Sequence, residues 1–467
     1  MASQPAAAKT IDDKVGRYGL VTLLVGLVQL VVTTDFSVIS VALPSIGAGL
    51  HIGPAALSWV VSGAAIPFAG FLILAGRISD LYGPRWCMLG GLALFAAGSL
   101  ASAFAPSFES LVAARALQGI GGAILTPANF SLINTLVPEG AHRNRALGVF
   151  TLMQGLAMVI GLLVGGVLTT TFGWRSIFLI TPPIILLAGV LAARLVPANL
   201  RAEVADRSVD LPGAILITAG SALLLFAVSA FGRVGPAPQS WAYLGASAAA
   251  FVALWFVESR AAAPLIPLSV FGRRNFTAGA LIGGCLTALV GIMLVLPNIY
   301  MQSALKFDAM RSGFGIAPYG MTVIIFGNIA PLFMKRFPHR WVTNGGYAVA
   351  VVGALLLAAF SHAGYYGLAL APWLIFTAMG ATIGFTGMMS VSTADLPADQ
   401  QGVGSAVLFT VQQISLPIGV ATALAIVAAG GGADFRGGYL TAAVIMAAGV
   451  AIGLIGLRGA PMPEEPL

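Results

Sequence analysis

The sequence predicts an all-helical integral membrane protein, and three observations carry that reading: few charges, long apolar runs and a one-sided placement of basic residues. Of the 467 residues, 58% are hydrophobic and 8% charged, whereas a soluble domain carries about 25% charged residues. Mean hydropathy is +0.95. A bilayer core about 30 Å thick asks for about 20 mostly apolar residues per helix, and runs of that length dominate the chain.

Apolar stretches bounded by charges, Pro and Gly give fourteen spans. A polar tail over 1–18 comes first, and the run after it is longer than the roughly 7–15 residues of a signal-peptide core, so it reads as a retained first helix. Six spans near 19–41, 55–75, 86–105, 109–134, 146–170 and 175–194 make an amino-terminal six-helix bundle over 19–194. Two more, near 212–231 and 241–257, lie in a linker over 195–274 with charged flanks. The last six, near 276–301, 312–332, 342–360, 366–390, 403–428 and 438–457, make a carboxy-terminal bundle over 275–458, and 459–467 is a tail. Six, two, six suggests an internal repeat with an inserted pair; transporters built from repeats place the substrate site between them near the bilayer midplane.

Orientation follows from counting charges. With the amino terminus in the cytoplasm, 17 of the 23 Lys and Arg residues fall on the cytoplasmic side, five fall outside, and Arg115 lies within a span. This obeys the positive-inside rule for an even number of spans, and a missed span would reverse the alternation from that point on. Both termini are therefore expected in the cytoplasm. Richness in Ala, Gly and Arg suggests a high-GC bacterium and its inner, plasma membrane.

Several function classes are excluded. The net charge of +7 comes from scattered single residues rather than a basic block, so no nucleic-acid partner is expected. Cys87 and Cys285 lie far apart in apolar stretches and form neither a disulfide framework nor a CxxC pair. His51, His142, His339 and His362 make no HExxH pairing, and no P-loop, GxSxG elbow or dinucleotide fingerprint occurs. No metal and no cofactor is expected, and no enzyme, since no second acid, His or nucleophile joins Asp35 within the spans.

Asp35, in VVTTDFSVISVALP, is the one carboxylate inside a span. An acid at the bilayer centre costs about 2.5–3.5 kcal/mol on insertion scales, so such residues face an interior cavity and serve as ion or proton sites; the bland alternative is a buried Asp that bonds a neighbouring helix. Arg115, in LVAARALQGIGGAILTPAN, is the single intramembrane cation. A guanidinium there needs a carboxylate, carbonyls or water, and Asp35 is the obvious partner, either as a switch or as a static salt bridge. Gln118, Asn129 and Gln154 in the first half, and Asn298 and Gln412 in the second, are candidates to line the same cavity or to bond between helices.

The turn between spans two and three, GRISDLYGPRW, offers Gly76, Arg77, Asp80, Gly83 and Arg85 as a conformational latch: the glycines permit a tight turn, and an anion is favoured near the start of the next helix. It could equally be a generic charged turn. In the fifth span Gly161, Gly165 and Gly166 permit close packing and bending.

Together these segments resemble the major facilitator superfamily and, within it, the fourteen-span drug/proton antiporters of multidrug efflux. TTDFSVISVALPSI is similar to the family's first-helix signature, GRISDLYGPRW to its loop signature and LVAARALQGIGGA to its fourth-helix signature; WRSIFLITPP and QQGVGSAVLFTVQQISLPIGVA are also familial. The resemblance implies that Arg115 is the proton-relay Arg and Asp35 the first-helix acid. It departs at Leu81 and Pro84, where the loop signature has basic residues, and at Leu162, where the antiporter signature has proline. What it implies is a monomeric transporter exchanging protons for small amphipathic, lipophilic and often cationic substrates across the bilayer by alternating access. A proton symporter or facilitator for one metabolite, and a non-transporting sensor or assembly subunit, remain as alternatives.

Overall fold

The computed structural model describes residues 5–138, 141–197, 210–235, 237–261, 264, 268–361, 366–394, 396, 401–430 and 435–457. The helices are α1 (Pro5–Leu50), α2 (Pro54–Tyr82), α3 (Pro84–Ala103), α4 (Phe108–Leu136), α5 (Ala141–Phe172), α6 (Ser176–Leu179), α7 (Thr181–Leu195), α8 (Leu211–Val234) and α9 (Pro238–Glu258). They continue with α10 (Arg274–Ser303), α11 (Ala309–Arg336), α12 (His339–Phe360), α13 (Tyr366–Ala369), α14 (Ala371–Ala394), α15 (Gln401–Ala429) and α16 (Phe435–Gly456). Among the described residues twelve helices are long and apolar enough to cross a membrane, α6 and α7 together making one of them. In α2 and α8 the qualifying stretches, Ala56–Leu72 and Pro212–Val228, are shorter.

Local signals set the helix starts. Pro54, Pro84 and Pro238 open α2, α3 and α9, where the missing N–H costs nothing because the first turn has no acceptor for it. Ser107 and Ser110 cap α4 reciprocally, and the Asp308 side chain accepts from the Arg311 amide at the start of α11. Such caps satisfy amides that the helix itself leaves unpaired.

Three sequence expectations are corrected. The first helix does not end near residue 41 but runs to Leu50, through Pro44. The expected turn over 76–86 is mostly helix: α2 continues to Tyr82, and the corner is Gly83, whose φ of 90° is a backbone conformation few side chains tolerate. Asp80 thus lies within the last turns of α2, not beyond its end. The sixth span is broken into α6 and α7 at Ile180, just ahead of Pro182 and Pro183.

One packing scheme recurs before and after the pair α8–α9. In the first set α1 packs along α5, and α2 and α3 along α4; in the second α10 packs along α15, and α11 and α12 along α14. The sets meet crosswise, α5 against α11 and α2 against α15. One apolar core joins α1, α2 and α5 to α10, α11, α12, α14, α15 and α16, and another fills the space between α1, α3, α4 and α7. Helix α8 lies against α2 and α15, while α9 leaves Trp241, Val252, Trp255 and Phe256 exposed, as a helix facing hydrocarbon does.

Candidate functional site

Small residues bring α2, α3 and α4 together around Arg115. A Cβ on Gly119 would overlap the backbone of Ala64, and one on Gly98 would sit 2.6 Å from the Gln118 amide nitrogen. The backbones approach so closely because these positions carry no side chain. This places a long cation and an amide from α4 against α1.

The result is a closed triad. Arg115 Nη1 lies 2.6 Å from Asp35 Oδ2 and donates to Gln118 Oε1 at 2.6 Å. Gln118 Nε2 donates to Asp35 Oδ1 at 2.7 Å. Arg115 Nε donates to the Val60 carbonyl of α2 at 3.2 Å. Arg115 and Gln118 are fully buried and Asp35 is 9% exposed.

Each carboxylate oxygen of Asp35 thus accepts from one donor, and each keeps a second lone pair to offer. The pair cannot be broken cheaply, because removing one partner of a buried ion pair costs about 3–5 kcal/mol. Arg115 Nη2 is buried with no partner within the protein, so one arm of the guanidinium is free to take a new acceptor.

Beside Asp35 and Gln118, Val32, Phe36, Ala64, Phe68, Phe95 and Gly119 wall a narrow recess with no room for a water-sized molecule. Sites for drug-sized molecules measure about 300–1,000 Å³. The recess is apolar apart from the carboxylate and the amide, and smaller than such a ligand.

The other expected residues scatter. Asn129, on α4, is fully buried and neither end of its amide has a partner within the protein. Gln154, on α5, is exposed. Gln412, on α15, is buried beside Gly283 with its Nε2 unpaired. Asn298, on α10, is fully buried and bonds to α1 and α11 through Ser40 and Ser312.

Of the latch candidates, Gly76 lies near Pro127 of α4, and Gly83 makes the corner. Arg85 Nη1 donates to the carbonyl of Val196 at the end of α7. The side chains of Arg77 and Asp80 lie outside the described residues. Gly161 and Gly165 face Ser37 and Val38 of α1, and Gly166 faces Ala309 and Met310. Leu162 is fully buried, and its carbonyl lies under Gly313 of α11.

Sequence reasoning missed the Val60 carbonyl and the serines that serve Asn298. The carbonyl has no sequence signal. The serines do: Thr34, Ser37 and Ser40 recur at a spacing of three, which puts them along one side of a helix.

Comparison with known proteins adds what geometry alone does not supply. The family model of the Major Facilitator Superfamily matches residues 25–420. The chain is 33% identical over 438 residues to the cephamycin export protein CmcT of Amycolatopsis lactamdurans, covering 92% of this chain and 89% of that one. To the lincomycin resistance protein of Streptomyces lincolnensis it is 35% identical over 364 residues, 76% of this chain and 72% of that one. A solved bacterial homologue of the human lysosomal transporter Spinster matches with a TM-score of 0.69 at 16% identity, covering 97% of this chain and 98% of that one; at that identity the likeness concerns the fold.

Proposed function

The chain belongs to the Major Facilitator Superfamily, and from that premise we propose that this multi-pass membrane transporter exports lipophilic antibiotics or drugs, many of them cationic, in exchange for protons. The buried pair of Asp35 and Arg115 carries the reading. A proton entering neutralises Asp35 and frees Arg115 and Gln118; a proton leaving restores the triad. Relatives named for cephamycin export and lincomycin resistance support antibiotic-like substrates and the outward direction.

The driving force is adequate. One proton moving inward supplies about 1.4 kcal/mol per unit of pH difference and about 2.3 kcal/mol per 100 mV of membrane potential. The one-sided Lys and Arg distribution supports cytoplasmic termini in a bacterial plasma membrane, and the transporter acts as a monomer. Asn129, Gln154 and Gln412 contribute polar contacts along the substrate path, the turn around Gly83 acts as the latch, and the α5 glycines let that helix move against α1.

The test is efflux of a lipophilic cationic dye from energised cells, comparing wild type with Asp35→Asn and adding a protonophore. Loss of efflux with either treatment is expected. Equal efflux in all three conditions would remove proton coupling through Asp35, and no efflux by wild type would remove the broad-substrate reading.

A further inference from the structure

Starting one residue from Asp35, the hydroxyls of α1 form a ladder. Thr34 Oγ1 donates to the Ala157 carbonyl of α5 at 3.4 Å. Ser37 Oγ donates to the Thr34 carbonyl at 3.0 Å and to that of Ala157 at 3.2 Å, and Ser40 Oγ donates to the Ser37 carbonyl at 2.7 Å. With its proton committed, Ser40 Oγ accepts from Asn298 Nδ2 of α10 at 3.4 Å. Asn298 also donates to the Leu294 carbonyl at 2.6 Å and accepts from Ser312 Oγ of α11 at 2.8 Å. A run of hydrogen bonds therefore leads from the turn that holds Asp35 into α10 and α11.

Two more links fall towards the same end of the helices. Gln302 Nε2 donates to the Val41 carbonyl at 2.9 Å, and the Met310 amide donates to Thr170 Oγ1 of α5 at 2.9 Å. Towards the other end, α2 meets α15 through apolar side chains, Leu74 sharing a cluster with Val407 and Leu408. The difference matters for motion. Hydrogen bonds are directional and break as a set, whereas apolar surfaces slide with little directional preference. Ser40, Asn298 and Ser312 are all buried, so if this end parts, each must find water in place of its partner.

We propose that Asn298, held by Ser40 and Ser312 and seconded by Gln302, is the positioning residue of a clasp that closes the Leu50 end of α1 against α10 and α11. The Thr34–Ser37–Ser40 ladder makes closure of the clasp depend on how Asp35 is bonded. The ladder ties α1 to itself and to α5, so α1 moves as one piece when Asp35 exchanges its bonds to Arg115 and Gln118 for a proton. This extends the function proposed above, on whose assignment of Asp35 it rests.

The test uses the full chain with Cys87→Ser and Cys285→Ser and one reporter, Phe36→Cys, beside Asp35. A membrane-impermeant maleimide is applied to one face of the membrane or the other. Asn298→Leu keeps the volume and removes the bonds; it is expected to raise labelling from the Leu50 side at least threefold. Asn298→Ser keeps a donor and an acceptor in a smaller side chain and is expected to stay within twofold of the parent.

A packing role would reverse that order, and Ser labelling faster than Leu overturns the clasp, as does Leu labelling like the parent. In the chain without the Phe36→Cys reporter, joining Ser40→Cys to Asn298→Cys with a short bis-maleimide, each thiol adding across one maleimide double bond, is expected to stop dye efflux; continued efflux overturns the clasp. Asp35→Asn is expected to shift labelling as well, and an unchanged pattern overturns the coupling through the ladder. Failure of the function reading has a different signature: a wild-type chain that moves no dye while the labelling pattern of the reporter chain follows these expectations.

Discussion

The helices from α1 to α7 and those from α10 to α16 pack by one scheme, yet they bury different chemistry. The first set encloses a full charge pair, Asp35 with Arg115, closed by Gln118. In the second set the largest fully buried polar side chains are the phenols Tyr319, Tyr347 and Tyr439, accompanied by neutral amides at Asn298 and Gln412. The packing scheme therefore does not require buried charge, because the second set stands without any among the described residues. The triad is an addition that the first set carries at an energetic cost, which points to a role beyond holding the helices together.

The sharpest way to break this contrast is to convert the first set into a neutral one. Arg115→Leu leaves Asp35 buried without its cation and is expected to destabilise the protein by about 3–5 kcal/mol, read as a lowered unfolding midpoint in detergent. Asp35→Leu combined with Arg115→Leu is expected to regain most of that stability, since apolar replacements of buried ion pairs are often neutral or better, while export stays lost. Failure of the double variant to recover would mean that the triad is structural.

The complementary change strikes the second set. Gly346 of α12 lies so close to α14 that a Cβ would sit 2.5 Å from the Gly384 amide nitrogen. Gly346→Val is expected to cost about 1–3 kcal/mol through overpacking and to lower the amount of folded protein. The transport that remains should keep its sensitivity to protonophore; a changed sensitivity would show that charge and packing are not separable between the two sets.

Smaller effects sharpen the picture. A Cβ on Gly161 would overlap the Ser37 hydroxyl, so Gly161→Ala is expected to displace the α1 ladder and slow dye efflux several-fold. Unfolding should change by only about 1 kcal/mol, within the lower range for overpacking. The smallest effect belongs to Tyr347→Phe. The Tyr347 hydroxyl is buried with no partner within the protein, and deleting an unpaired hydroxyl is expected to be neutral or stabilising by up to about 1 kcal/mol. A marked loss of stability or export would reveal a polar function in the second set.

How much of this is legible in the sequence depends on whether a residue's presence in an apolar span has an inert explanation. A lone Asp and a lone Arg have little, so residue type and position alone are enough to pair them. Gln118 follows Arg115 by three residues, near enough on a helix to share its partner. Serines and amides are tolerated singly in membrane helices for ordinary packing. The spacing of Thr34, Ser37 and Ser40 therefore marks one side of a helix but does not name Asn298, 258 residues from Ser40, as its partner.

Helix ends are hard to read for a related reason. Windows keyed to charge and proline stop at Arg77 and at Pro44, but the helices continue past both. Membrane helices accommodate proline because neighbouring groups satisfy the freed carbonyl.

The narrowness of the recess beside Asp35 changes the terms of competition between proton and substrate. The recess has no room even for a water-sized molecule, far less for one of antibiotic size, which needs about 300 Å³ or more. In this conformation a bulky substrate is kept from the carboxylate by walls of Phe36, Phe68 and Phe95, whatever its charge. Exchange of one for the other is then governed by the order in which the walls part and close: a matter of timing rather than of relative affinity.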